Sequence, residues 1–223
     1  MTVTDEAILK IKEMILGGQL KAGERLPPEK ELSEQLGLSR SSLREAVKAL
    51  EIIRVLDVRR GDGTYVTSLE PRLLAEAVAF VTDLHQDTSV LELFEVRRIL
   101  EPAAAAIAAR RISGDQLAML KASMATVRND TSVEDLVAHD LEFHRIIAQA
   151  SGNSYLASLL DGLSGRTVRA RIWRGLTEER AVARTIDEHA AIAAALGAGD
   201  SELARSLLTV HISGVENWLR EAI

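Results

Sequence analysis

The chain has 223 residues, 47% of them hydrophobic, a formal net charge of −6 and no cysteine. That length suits one large domain or two modest ones, each with a core of its own. The apolar content excludes a disordered chain, and the missing thiols exclude disulfides and thiolate metal sites.

Aromatic residues make up only 3%. With abundant alanine and leucine, this favours packed helices over sheets. The N-terminal run MTVTDEAILKIKEM carries acids where a signal peptide is basic. No apolar run approaches the ~20 residues that a membrane span needs. The expectation is a soluble, cytoplasmic protein without a membrane partner.

Charge is unevenly spread. Residues 1–69 hold 11 Lys+Arg against 11 Asp+Glu, net zero, and residues 70–223 hold 16 against 22, net −6. Between Ser39 and Ser68, Arg40, Arg44, Lys48, Arg54, Arg59 and Arg60 outnumber Glu45, Glu51, Asp57 and Asp62. DNA binding needs such a local basic surface and does not need a basic protein.

Ile8, Ile11 and Ile15 share a helical face and predict a first helix over 4–17, stopped at Gly17-Gly18. Pro28 can open a second helix through Gln35, with Leu32 and Leu36 facing inward and Gly37 as a left-handed cap. Ser39 caps a third, with Leu43, Ala46, Val47 and Leu50 inside. Two helices joined by a short glycine-containing turn form a helix-turn-helix. Val55–Val58 and Thr64–Val66 then read as strands around Arg59-Arg60-Gly61-Asp62-Gly63, a hairpin with a basic tip. Glu70-Pro71 marks a linker.

From residue 72 the pattern is helical throughout. Helices are expected over Ser89–Ile112 with a kink at Pro102, from Ser113 to Val127, and from Ser132 to Ala150. Further helices are expected over 154–174, 178–196 and 201–220. The predicted fold is mainly α: a winged helix-turn-helix over 1–69, then an all-helical antiparallel bundle of six or seven helices over 70–223.

Ser39, Arg40, Ser41, Ser42 and Arg44 cluster at the start of the third helix. A helix N-terminus attracts phosphate, serine hydroxyls bond phosphate oxygens, and arginine grips guanine bidentately. Arg59 and Arg60 on the wing can reach the minor groove or the backbone. Alone, the serine-rich start reads as an ordinary capped helix. The order of elements around it points to a DNA reader.

The run GGQLKAGERLPPEKELSEQLGLSRSSLREAVKALE, followed by VRRGDGTYV, resembles the DNA-binding domain of GntR-type regulators over residues 6–67. The resemblance implies DNA contacts from Lys30, Arg40 and Arg44, phosphate contacts from Ser39, Ser41 and Ser42, and Gly61 at the wing tip. The family usually has glycine where this chain has Arg54.

A second constellation lies further on. Asp140 and His144 share a helical face with Leu136, Val137, Ile147 and Ala148. His189 faces inward with Ile186 and Ile192, and His211 with Leu207, Leu208 and Val215. A buried carboxylate with neutral imidazoles suits zinc, nickel or manganese. Each histidine alone also reads as a satisfied core residue, and the Asp140–His144 pair as a helix ion pair. His139, spaced helically from Asp135 and Glu142, reads as solvated, and His85 as a surface residue at a helix end.

LELFEVRRILEPAAAAIAA, DLEFHRIIAQASGN, EHAAIAAAL and the late His211 resemble the FCD ligand-binding domain of the FadR subfamily over residues 73–220. The resemblance implies a divalent metal, zinc first, on Asp140, His144, His189 and His211, with a small carboxylate or sugar acid beside it. It also aligns Arg97 with an arginine that can pair with the effector. Arg97 reads equally as a surface helical partner of Glu101 or Glu92.

The expected function is a metabolite-responsive transcription regulator, a homodimeric repressor on operator DNA, and not an enzyme. A metalloenzyme using the Asp/His site is the alternative, though no residue is clearly placed as its general base. A metal-free acyl sensor fits the four polar inward residues poorly.

Overall fold

The computed structural model describes residues 2–71, 73, 75–76, 78–79, 90–178 and 180–222. The chain forms two compact units, residues 1–73 and 74–223.

In the first unit, α1 (Val3–Leu16) starts from a capping box. The Thr2 hydroxyl accepts the Asp5 N–H at 3.1 Å, and the Asp5 carboxylate accepts the Thr2 N–H at 2.7 Å. The helix buries Ala7, Ile11 and Met14, while Ile8 and Ile15 are only partly covered. Pro28 precedes α2 (Glu29–Leu36), which Gly37 ends at φ 67°. Ser39 caps α3 (Arg40–Ile52), accepting the Ser42 N–H at 3.1 Å. Leu43, Ala46 and Leu50 face the core. After the Ile53 cap the chain turns through Arg54 at φ 60°. That left-handed conformation is the one glycine adopts without steric cost. Strand β1 (Leu56–Arg59) pairs antiparallel with β2 (Gly63–Val66), Leu56 opposite Val66 and Arg59 opposite Gly63.

In the second unit, helical residues at 75–76 and 78–79 precede α4 (Val90–Ala109), which runs on through the buried Pro102. Then come α5 (Gly114–Met124), α6 (Val133–Ala150), α7 (Ser154–Thr177), α8 (Ala181–Ala198) and α9 (Ser201–Ala222). Ser113 with Gln116 forms a capping box for α5, and Ser132 and Asn153 cap α6 and α7. Gly197 lies inside α8, and Gly199 ends that helix at φ 72°. The core gathers Phe94, Leu120, Phe143, Ile147, Ile192, Leu196, Leu208 and Ile212. A winged N-terminal unit and an all-helical second unit are the expected fold class. Among the described residues, no helix is long and apolar enough to cross a membrane.

Candidate metal centre and nucleic-acid interface

Helix α6 is buried around about half its girth. Asp140 and His144 project from it towards His189 on α8 and His211 on α9, and all four are buried. One ligand atom from each lies within 4.8 Å of the others. Asp140 Oδ1 is 3.5 Å from His144 Nε2, 3.2 Å from His189 Nε2 and 3.6 Å from His211 Nε2. His144 Nε2 and His211 Nε2 are 3.3 Å apart. Metal bonds of ~2.0–2.2 Å hold neighbouring ligands roughly 3–3.4 Å apart, so the closest pairs already have a coordination spacing.

The far side of each ring is held as well. His144 Nδ1 meets Glu101 Oε2. His211 Nδ1 lies 2.7 Å from Glu188 Oε2. His189 Nδ1 lies 3.1 Å from His139 Nε2, whose Nδ1 lies 2.9 Å from Ser123 Oγ. The rings of Phe143 and His189 stack at 3.8 Å. A carboxylate on Nδ1 fixes the tautomer that turns the Nε2 lone pair inward. His189 Nε2 is buried and makes no directed hydrogen bond. An orphan nitrogen facing a carboxylate and two imidazoles is the donor set of a divalent ion, and the residues present fit one.

Electrostatics suit Asp140 and His189 as ligands, while His211 must give up a proton to bind an ion. Burial pushes Asp140 towards its neutral form, but Arg171 and His144 outweigh it and hold the carboxyl well below the usual carboxylate range. Burial draws His189 down to about 3, which keeps its ring neutral as a ligand must be. Burial also lowers His211, yet its bonds to Asp140 and Glu188 prevail and raise it.

Asp140 Oδ2 accepts from Arg171 Nη1 at 2.6 Å. Arg171 and Arg174 of α7, together with Asp140, Thr185 and His211, line a small cavity of about 30 Å³. Arg97 is buried with its Nε 2.5 Å from Glu101 Oε1 and lies outside the described wall of that cavity. It pairs with Glu101 along the helix, but that pair is buried and not on the surface as expected. His139 corrects another expectation: it is buried, not solvated, because Ser123 of α5 packs over that side of α6. The signal was present, since Leu136, His139, Phe143 and Ile146 make a second inward stripe. Arg171, Arg174, Glu101 and Glu188 escaped sequence reading as site residues. His85 lies outside the described residues.

In the first unit, Lys30, Arg40, Ser41 and Arg44 are exposed, and Ser42 is half-buried. The Ser39 hydroxyl is engaged with the Ser42 N–H and lies 2.8 Å from its Oγ. Arg44 Nε bonds Glu29 Oε2 at 2.8 Å, an exposed pair. On the hairpin, Arg59 bonds Asp57 at 2.9 Å and lies over the Tyr65 ring at 4.2 Å. Arg60 is exposed beside Gly61, which turns at φ 77°.

Residues 3–66 match the bacterial regulatory proteins of the gntR family, and residues 92–214 match the FCD domain. The chain belongs to the GntR family of transcription regulators and carries an FCD domain. It is 29% identical to the HTH-type transcriptional regulator LutR of Bacillus subtilis (strain 168) over 214 residues, covering 92% of this chain and 96% of the relative. It is 27% identical over 227 residues to the galactonate operon transcriptional repressor of Escherichia coli (strain K12), covering 98% and 97%. The structure of Streptococcus agalactiae GntR superposes with a TM-score of 0.69 at 29% identity, covering 96% of this chain and 99% of that one. The family and these relatives are DNA-binding regulators and not enzymes, so the metalloenzyme alternative is not favoured.

Proposed function

We propose that this GntR regulator is a homodimeric, cytoplasmic repressor whose operator affinity is set by a small carboxylate or sugar acid bound beside a divalent metal. Zinc is the first candidate, with nickel or manganese as alternatives. The observation that carries the reading is the convergence of Asp140 Oδ1 and three imidazole Nε2 atoms, each ring anchored from behind. When bound, the ion would supply a Lewis-acidic position for a carboxylate oxygen. Asp140, His144, His189 and His211 would hold it, and Glu101, Glu188 and His139 would orient the rings. The galactonate named in one relative's operon is a sugar acid.

Lys30, Arg40, Arg44 and Arg60 are the exposed cations that would meet DNA, with Arg59, Ser39, Ser41, Ser42 and Gly61 on the same helix start and hairpin. A dimer would set two recognition helices about one DNA turn apart, ~34 Å. The experiment is operator binding by fluorescence anisotropy on metal-loaded protein, with lactate and galactonate as probes. An acid that lowers operator affinity ~5- to 150-fold, and does so less after chelation, is expected. Operator affinity indifferent to acids and to chelation contradicts the reading.

A further inference from the structure

Arg171 and Arg174 stand one turn apart on α7, about 4.5 Å along its axis, with side chains 5% exposed. Arg171 gives Nη1 to Asp140 and leaves Nε and Nη2 without hydrogen bonds. Arg174 gives Nε to Glu178 and leaves Nη2 without one. Buried guanidinium nitrogens are ordinarily satisfied, and both residues line the cavity that Asp140 and His211 also border. We propose that Arg171 and Arg174 form the carboxylate-receiving wall of this cavity, and that its ligand is a small monoanionic acid. This rests on the effector reading above and moves the acid's direct contact from Arg97 to α7.

The planar guanidinium fork matches a carboxylate, with charge-assisted bonds that a neutral group cannot match. Arg97 is not among the residues with orphaned nitrogens and lies outside the described wall.

Charge balance sets the class of acid. With a divalent ion bound and the ligand histidines neutral, Arg97, Arg171, Arg174 and the ion carry five positive charges. Glu101, Asp140, Glu178 and Glu188 carry four negative ones, each side chain less than a quarter exposed. One positive charge remains, which a monoanion neutralises and a dianion overshoots.

The cavity of about 30 Å³ fits water and not an acid, so a ligand must displace part of its wall. Glu178 stands outside the described wall, behind Arg174. It holds Arg174 and Arg184 from the turn between α7 and α8, and is itself a carboxylate. The incoming acid shares Arg174 with it, Glu178 keeping Nε and the acid taking the open Nη2.

The test is calorimetric titration of the metal-loaded full chain with lactate and galactonate as monoanions, malate as a dianion and lactamide as a neutral analogue. Metal content is measured in parallel for wild type, Arg174→Gln, Arg174→Lys and Glu178→Gln. A monoanion should bind, lactamide should not, and malate should bind more weakly. Arg174→Gln should keep its metal and lose at least tenfold in acid affinity, with partial recovery in Arg174→Lys. Glu178→Gln should bind the acid several-fold tighter, a gain that misfolding does not produce. Equal affinity in Arg174→Gln and wild type, or weaker binding by Glu178→Gln, overturns the proposal and leaves the effector reading standing. Tighter binding of malate overturns the monoanion assignment. A metal-loaded wild type that binds none of these acids overturns both readings.

Discussion

His139 and His189 are joined by a 3.1 Å contact between Nε2 and Nδ1, and Ser123 Oγ closes the chain 2.9 Å from His139 Nδ1. The relay makes His139 the anchor of one candidate metal ligand. His139→Ala should weaken metal retention about 10- to 100-fold, as removal of an outer partner of a ligand does. Competition against a graded chelator measures it. Unchanged retention in His139→Ala would mean that His189 needs no anchor.

Arg44 stands exposed on the second turn of α3, and its bond to Glu29 is an exposed pair of small worth. Arg44→Ala should cost about 1–3 kcal/mol of operator affinity if the side chain reads a base. Glu29→Gln should leave operator affinity equal or raise it slightly, by freeing the guanidinium. Wild-type affinity in Arg44→Ala, measured at fixed salt, would remove Arg44 from the interface.

Arg54 holds φ 60° just past the end of α3, where its carbonyl accepts from Thr67 Oγ1 at 2.7 Å. A left-handed residue with a Cβ costs ~1–2 kcal/mol, and glycine's greater unfolded freedom returns part of that. Arg54→Gly should therefore stabilise the first unit by about 0.5–1 kcal/mol, seen as a higher midpoint in denaturant. A lower midpoint would mean that the Arg54 side chain contributes more than its backbone strain costs.

Much of the fold was legible because its signals are local. Ser39, Gly37, Ser113 and Ser132 stand where caps were expected. The Asp140, His144, His189 and His211 cluster was legible because each lies on an apolar stripe. The arginines of α7 were not. That helix buries Ser158, Thr167, Arg171 and Arg174 while leaving Trp173 and Leu176 exposed, so hydrophobic periodicity points away from its working face. Glu101 and Glu188 were missed as anchors because their partners lie 43 and 23 residues away, distances that only packing closes.

Metal-free protein should lose stability as pH falls below about 6.5. Burial pulls His189 down to about 3 and also lowers His139, so an unfolded chain takes up protons near 6.5 that these folded rings refuse. The unfolded state gains through that window, down to about 3. His211 acts oppositely: its raised value adds stability that is full below about 6.5 and is lost as pH rises through its folded value. Below about 6.5 the His211 contribution is already full and constant, so the two lowered rings set the slope there. Melting temperatures of chelated protein at pH 6.5 and pH 5 measure the slope, which His189→Asn should flatten. A melting temperature that rises towards pH 5 would contradict the assignment.

The proposed function requires acid binding at the Asp140–histidine site and operator binding by the first unit to be energetically linked. Linkage requires reciprocity: if an acid lowers operator affinity, operator DNA must lower acid affinity by the same factor, typically ~5- to 150-fold. The direct measurement is calorimetric titration of lactate and galactonate into metal-loaded protein with and without operator, on wild type and His144→Ala. Equal factors in the two directions for wild type, and loss of both in His144→Ala, are the predicted result. An acid that releases DNA equally well from wild type and His144→Ala would show that sensing occurs elsewhere in the chain.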